Sequence, residues 1–234
     1  MTSNAPKVVR AAERPMEPLL RGAGWVATAI DGSMSRQVVQ RVFQLRRGRT
    51  PWLETGDAED VLYVASGHVG VEWPTGQVDG RRGAAALVPP NRRYRLTNEG
   101  PGDAEVVSVM ARRSSAGREI RTTHEDDEEA LRAGDDRYFK VLVDPRHGAT
   151  QVTQFVGFIE RSRAPFHTHT YEEAIYILEG EGVVHIDDSQ TPIQPGTSIF
   201  LPPGTAHCLE NRSDGVLKLL GVFSPPGSPA GMKE

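Results

Sequence analysis

The 234-residue chain has a single cysteine, Cys208. That excludes an intrachain disulfide and a thiolate metal cluster. No run of about 18 apolar residues occurs, so no membrane-spanning helix is expected. The N-terminal MTSNAPKVVRAAERPMEPLL lacks the continuous apolar stretch of a secretory signal. A basic excess is missing too: 27 lysines and arginines stand against 31 acidic residues, a net charge of −4. Without a basic helix or a helix-turn-helix pattern, neither nucleic acid nor a membrane is an expected partner, and a cytoplasmic location is expected.

Glycine and proline are plentiful, at 24 and 17 residues, and short valine-rich runs recur between them. That composition suits a turn-dense all-β fold, and the length allows one large or two small domains. The runs place strands at 24–30, 37–45, 60–65, 68–73, 84–88, 93–98 and 104–112. In the second half they fall at 138–143, 151–160, 165–169, 173–178, 182–187, 197–201, 205–210 and 216–223.

Two segments carry chemistry: PFHTHTYEEAIYILEG at 165–180 and GTSIFLPPGTAHCLEN at 196–211. In a strand, side chains two apart share a face. His167, His169 and Glu173 are all odd-numbered, so an extended segment turns them to one side, and His207 reaches them from a later strand. Pro202 and Gly204 make the intervening turn. His-x-His alone, Glu173 alone or His207 alone is an ordinary surface or core feature; the constellation is what points to a metal. Cys208 should face away from His207 as a small buried hydrophobe.

The segments resemble the two motifs of the cupin superfamily, G(x)5HxH(x)3-4E(x)6G and G(x)5PxG(x)2H(x)3N. The second motif matches at every fixed position; in the first, Arg161 stands at the leading glycine, a turn position and not a ligand. The resemblance implies a double-stranded β-helix, or jelly-roll, barrel whose metal ligands are His167, His169, Glu173 and His207.

An internal repeat doubles this picture. Residues 65–100 lie on LEGEGVVHIDDSQTPIQPGTSIFLPPGTAHCLENRS without a gap, pairing Gly67 with Gly180, Gly83 with Gly196, Pro89 with Pro202 and Asn98 with Asn211 at an offset of 113. Tyr63 and Tyr176 obey it as well. The chain thus reads as two tandem cupin barrels, a bicupin. At the ligand positions the first barrel has Glu54, Gly56, Asp60 and Tyr94, a set too poor to hold an ion tightly. Its Arg81, Arg82, Arg92, Arg93 and Arg95 fit either an anion-binding cavity or, preferably, a charged strand edge.

The expected organisation is an N-terminal arm at 1–22, a first barrel with a degenerate motif at 23–113, a charged linker at 114–137, a metal-binding barrel at 138–224 and a tail at 225–234. Within the linker, Thr123 as N-cap, the acids 125–129 and Gly134 predict one short helix. His124 and its neighbouring acids belong to that surface helix, and His68, His147 and His185 have no spaced partners.

Three imidazoles and a carboxylate leave open positions on a six-coordinate ion. One divalent transition metal per chain is expected, Fe(II) or Mn(II) ahead of Ni, Cu or Zn. Ile175, Ile177 and Phe200 are expected to keep water from it. The leading expectation is a dioxygenase acting on a chelating enol, diketone or phenol. Cupin relatives also include decarboxylases, isomerases, lyases and aminohydrolases, as well as bicupins that hold a ligand without turnover. No general acid or base is assignable, and a homodimer is expected.

Overall fold

The runs VLYVA and AIYIL are apolar at every position, a pattern that fits strands covered on both faces. In the computed structural model, which describes residues 5–115, 117 and 119–230, they form the centres of two seven-stranded antiparallel sheets. The first sheet runs Arg121–His124, Ala84–Val88, Glu59–Ser66, Ala104–Ala111, Val38–Leu45, Gly24–Ile30 and Glu17–Pro18. The second runs Lys7–Val9, Ser198–Leu201, Glu172–Glu179, Leu217–Ser224, Thr153–Ile159, Arg137–Val143 and Leu131–Arg132. Each faces a smaller sheet. Gly48–Arg49, Arg93–Asn98, His68–Trp73 and Gly76–Arg81, with Leu53–Glu54 beside them, serve the first; Ser189–Ile193, Gly182–Ile186 and His207–Asn211 serve the second.

Side-chain alternation separates three cores. Leu62, Val64, Leu96 and Val106 fill the first sheet pair, and Ile175, Ile177, Leu209 and Leu219 fill the second. On the opposite faces Val61, Tyr63, Val107 and Val109 meet Ala174, Tyr176, Leu220 and Val222, so the two large sheets pack back to back. Fully burying each such valine or leucine contributes about 1.5–3 kcal/mol. The fold is all-β and jelly-roll.

The repeat extends beyond the motifs. Glu59–Ser66 and Glu172–Glu179 are 113 apart, as are Ala104–Ala111 and Leu217–Ser224. Asn98 and Asn211 explain their shared asparagine: each Nδ2 donates to two backbone carbonyls, of Leu45 and Gly102 in one copy and of Ile159 and Gly215 in the other. Gly67 and Gly180 turn the chain with φ near +80°, at +78° and +81°, a region costly for any residue with a Cβ.

Arm and linker are also copies of one element. Lys7–Val9 pairs with Ser198–Leu201 of the second sheet, while Arg121–His124 pairs with Ala84–Val88 of the first. Each unit therefore lends a strand to its neighbour. Two buried glutamates add to the interlock: Glu59 accepts from the backbone N–H of Thr150 and Gln151, and Glu172 from Ser35 Oγ and the Arg36 N–H. The first four residues of the expected arm, the last four of the tail, and Ala116 and Arg118 of the linker lie outside the described residues.

Three expectations change. The expected helix over 123–134 does not form among the described residues; Arg121–His124 and Leu131–Arg132 are strands. The open edge of Ala84–Val88 offers ladder hydrogen bonds, and the β-branched Thr122 and Thr123 suit a strand better than a helix. Residues 165–169 are not a strand but an irregular segment bridged from His167 to His207. Phe200 faces the core between the sheets, away from the site. Among the described residues, no helix is long and apolar enough to cross a membrane.

Candidate metal centre

His207 opens the strand His207–Asn211, and Glu173 lies near the start of Glu172–Glu179. His167 is fixed to His207 by reciprocal backbone hydrogen bonds of 3.0 and 3.1 Å. His169 follows on the same segment, and its carbonyl accepts from the Gly204 N–H at 2.8 Å, so the Pro202–Gly204 turn closes over it. His169, Glu173 and His207 are buried, and their ligand atoms lie within 4.8 Å of one another. His167 sits one ring further out, its centroid 4.3 Å from that of His207 and 6.3 Å from that of His169.

Each imidazole is oriented in the same way. Nδ1 lies 3.1 Å from the Pro165 carbonyl in His167, 2.8 Å from that of Tyr171 in His169 and 2.9 Å from that of Thr205 in His207. A carbonyl only accepts, so Nδ1 carries the hydrogen and the Nε2 lone pair is left for a ligand role. In His169, Nε2 lies 2.9 Å from Glu173 Oε2, and in His207 it lies 3.5 Å away. Two lone-pair atoms facing each other at that distance need a positive charge between them, a proton or a metal cation. Three neutral imidazoles and a carboxylate fit a divalent transition ion.

Electrostatics follow from this geometry. Burial would raise the Glu173 carboxyl, yet the hydrogen bonds from His169 and His207 hold it down to about 2. Burial would lower His169, but Glu173 pushes it above the usual histidine value. His167, lacking such a partner, is lowered by burial and by His207.

The centre opens into a cavity of about 90 Å³, walled mainly by Phe139, Phe155, Ile175, Leu209, Leu219 and Phe223. Gly221 makes room for Phe155, since a Cβ there would come within 2.2 Å of the ring. Arg137 also lines the cavity, and its buried Nε and Nη1 have no hydrogen-bond partner among the described residues; Asp136 Oδ1 lies 3.5 Å from Nε, within ion-pair range only. Tyr171 stacks on His169 at 4.5 Å, its hydroxyl pKa raised to about 12 by burial and by Glu173. The sequence reading missed Arg137, Phe155 and Tyr171; Tyr171, two residues after His169, was the most accessible to it.

The equivalent place in the first unit holds different chemistry. Asp60, wholly buried, accepts from Arg41 Nη2 at 2.7 Å, Tyr94 Oη at 2.5 Å and Ser108 Oγ at 2.7 Å. Glu54 and Gly56 are exposed. Of the arginines, Arg81 pairs with Asp126 and Arg82 with Glu179 at the surface, while Arg93 and Arg95 lie over Trp52. Cys208 is buried, with Arg163 Nε 3.4 Å from its sulfur. His185 pairs with Glu210, His147 with Asp144, and His68 is exposed.

Residues 155–223 match the family model described as Cupin domain. An uncharacterized protein of Methanocaldococcus jannaschii is 40% identical over 68 residues, 29% of this chain and 54% of that protein. The oxalate-binding protein of Thermotoga maritima is 39% identical over 63 residues, 26% of this chain and 52% of that protein. The chain thus spans about half the length of these curated relatives. A putative glyoxylate induced protein from Pseudomonas aeruginosa superposes with a TM-score of 0.80 at 18% identity, over 100% of this chain and 93% of that one. A mutant of Bacillus subtilis oxalate decarboxylase gives 0.74 at 14% identity, over 92% of this chain and 76% of that one. At such identities the likeness concerns the fold. The matched segment is thus similar to a Cupin domain, and the superpositions show that the whole chain shares the fold of these proteins.

Proposed function

We propose that the chain is a bicupin whose second unit holds one divalent transition metal on His167, His169, Glu173 and His207, and that the centre takes a small oxygen-chelating anion. The convergence of the His169 and His207 Nε2 atoms on the Glu173 carboxylate, with His167 oriented in the same way beside His207, carries this reading. When bound, such an ion supplies Lewis acidity and open positions for ligand oxygen. The chain's own contribution is to fix the imidazole tautomers through three carbonyls and to keep water out with Phe155 and Phe223.

Cavity size narrows the ligand. An engineered cavity of about 150 Å³ is what benzene fills, whereas this one measures about 90 Å³. Phenolic substrates are therefore disfavoured, and two- or three-carbon acids or enols fit better. The buried Arg137 guanidinium gives the apolar wall a positive charge, which favours an anion. The names of the oxalate-binding relative and of the oxalate decarboxylases agree with that chemistry, and Mn(II), described for the Bacillus subtilis decarboxylase, is the first metal to try.

A second reading, ligand binding without turnover, draws on one observation. The titratable cavity side chains outside the proposed ligands are Arg137, Tyr138 and Tyr171, and with the Tyr171 hydroxyl held near 12 and that of Tyr138 raised by burial none serves as a base at neutral pH. Calorimetry of the Mn(II)-loaded protein with oxalate, alongside assays for carbon dioxide release and oxygen uptake, separates the cases. Heat of binding that disappears in His169→Ala supports the centre; turnover in addition makes it an enzyme. No binding of oxalate or of any small oxyacid would refute the proposal.

A further inference from the structure

The last described residues do not leave the molecule. They run back over the metal cavity, and Pro229 is buried although Ser228 and Ala230 on either side are exposed. Pro229 lines the same cavity as His167, His169, Glu173 and His207. A segment rich in proline and glycine does not sustain a strand, so a buried residue within it needs another cause.

That cause is Tyr171. Its hydroxyl donates to the Ser228 carbonyl at 3.2 Å. Gly227 lies so close to its ring that a Cβ would come within 2.4 Å. The ring also stacks on His169, at 4.5 Å and 12° between planes, and lies 4.3 Å from Phe223. One side chain therefore joins the tail to a proposed ligand. Three prolines among residues 225–230 restrict the free segment and lower the entropy lost on docking.

We propose that residues 225–230 form a strap that closes the metal cavity, with Tyr171 as its anchor and Pro229 as the wall that limits ligand size. One hydrogen bond and a few packing contacts hold it, so it opens without disturbing the sheets. The ligands it admits are the small oxyacids of the functional reading, and to that extent the inference rests on that reading. Closure itself does not depend on a metal.

The test uses full-length, metal-free protein treated with diethyl pyrocarbonate, with modification of His169 and His207 followed by peptide mass spectrometry. Exposed His68 serves as internal reference. Tyr171→Phe removes only the hydroxyl and should speed labelling of both histidines about 5-fold, the effect of one lost hydrogen bond on an opening equilibrium. Gly227→Val, which forces the strap off the ring, and Pro229→Gly should each give about 10-fold or more. Should Gly227→Val impair folding, seen as a lowered melting temperature, the near-isosteric Tyr171→Phe still decides. Labelling rates within twofold of the parent in Tyr171→Phe and Pro229→Gly would overturn the strap. Failure of the metal reading shows separately, as parent protein that binds no metal.

Discussion

Arg41 and Asp60 lie 2.7 Å apart at the place where the second unit gathers its histidines and glutamate. Asp60 aligns with Glu173, and Tyr94 with His207. Through the register with Ala104–Ala111 and Leu217–Ser224, Arg41 stands opposite Ser108 as Phe155 stands opposite Gly221. A guanidinium thus supplies in one unit the positive charge that a metal would supply in the other. Burial alone would lower the Arg41 pKa, but Asp60 and Tyr94 raise it, so the charge is permanent.

Replacing Arg41 leaves Asp60 buried and short of its cation. Breaking a buried ion pair on one side costs about 3–5 kcal/mol, and Tyr94 and Ser108 still donate to Asp60, so Arg41→Met should cost about 3 kcal/mol. Urea denaturation measures this. A loss below about 0.5 kcal/mol, the range of ordinary surface substitutions, would show that the pair is not structural.

The metal-free site should leave a signature in stability against pH. Glu173 is held down to about 2 from 4.5, so its contribution is present above 4.5 and lost as pH falls toward 2. His169 is raised above 6.5, so its contribution is present below 6.5 and lost as pH rises through the raised value. The stability difference between the parent and Glu173→Gln should therefore peak at about pH 5.5, between the two limits, and shrink at about pH 3 and about pH 8.5. Chemical denaturation at these three values checks it, and a difference that does not vary with pH would contradict it.

Gly221 is a packing requirement of the cavity. A Cβ at this position would meet three Phe155 ring atoms at 2.2–2.9 Å, and overpacking of this kind costs about 1–3 kcal/mol. Gly221→Ala should be destabilised by that amount and should turn Phe155 toward the proposed metal ligands. A neutral substitution in thermal denaturation would mean that the ring has room to spare.

Much of this was legible in the sequence, for physical reasons that differ by element. Glycine, proline and asparagine shape turns through backbone geometry, so Gly67, Gly180, Asn98 and Asn211 kept their identities and exposed the repeat. The apolar runs around Val61 and Ile175 marked strands covered on both faces. The exchanged strands Lys7–Val9 and Arg121–His124 were hidden, because edge pairing uses backbone groups and leaves no side-chain periodicity. Arg41 was hidden because it lies outside the motif span and aligns with Phe155 only after the offset slips by one residue. Phe200 was misplaced because its even number sets it opposite Leu201 and Ile199, which face the site's core.

On the proposed function, one unit would hold the metal and the other has a guanidinium in its place. Elemental analysis of protein purified without added metals, with His207→Ala and Arg41→Met prepared in parallel, tests it most directly. About one transition-metal ion per chain is expected in the parent and in Arg41→Met, and close to none in His207→Ala. Two ions per chain in the parent, or a full complement in His207→Ala, would contradict it.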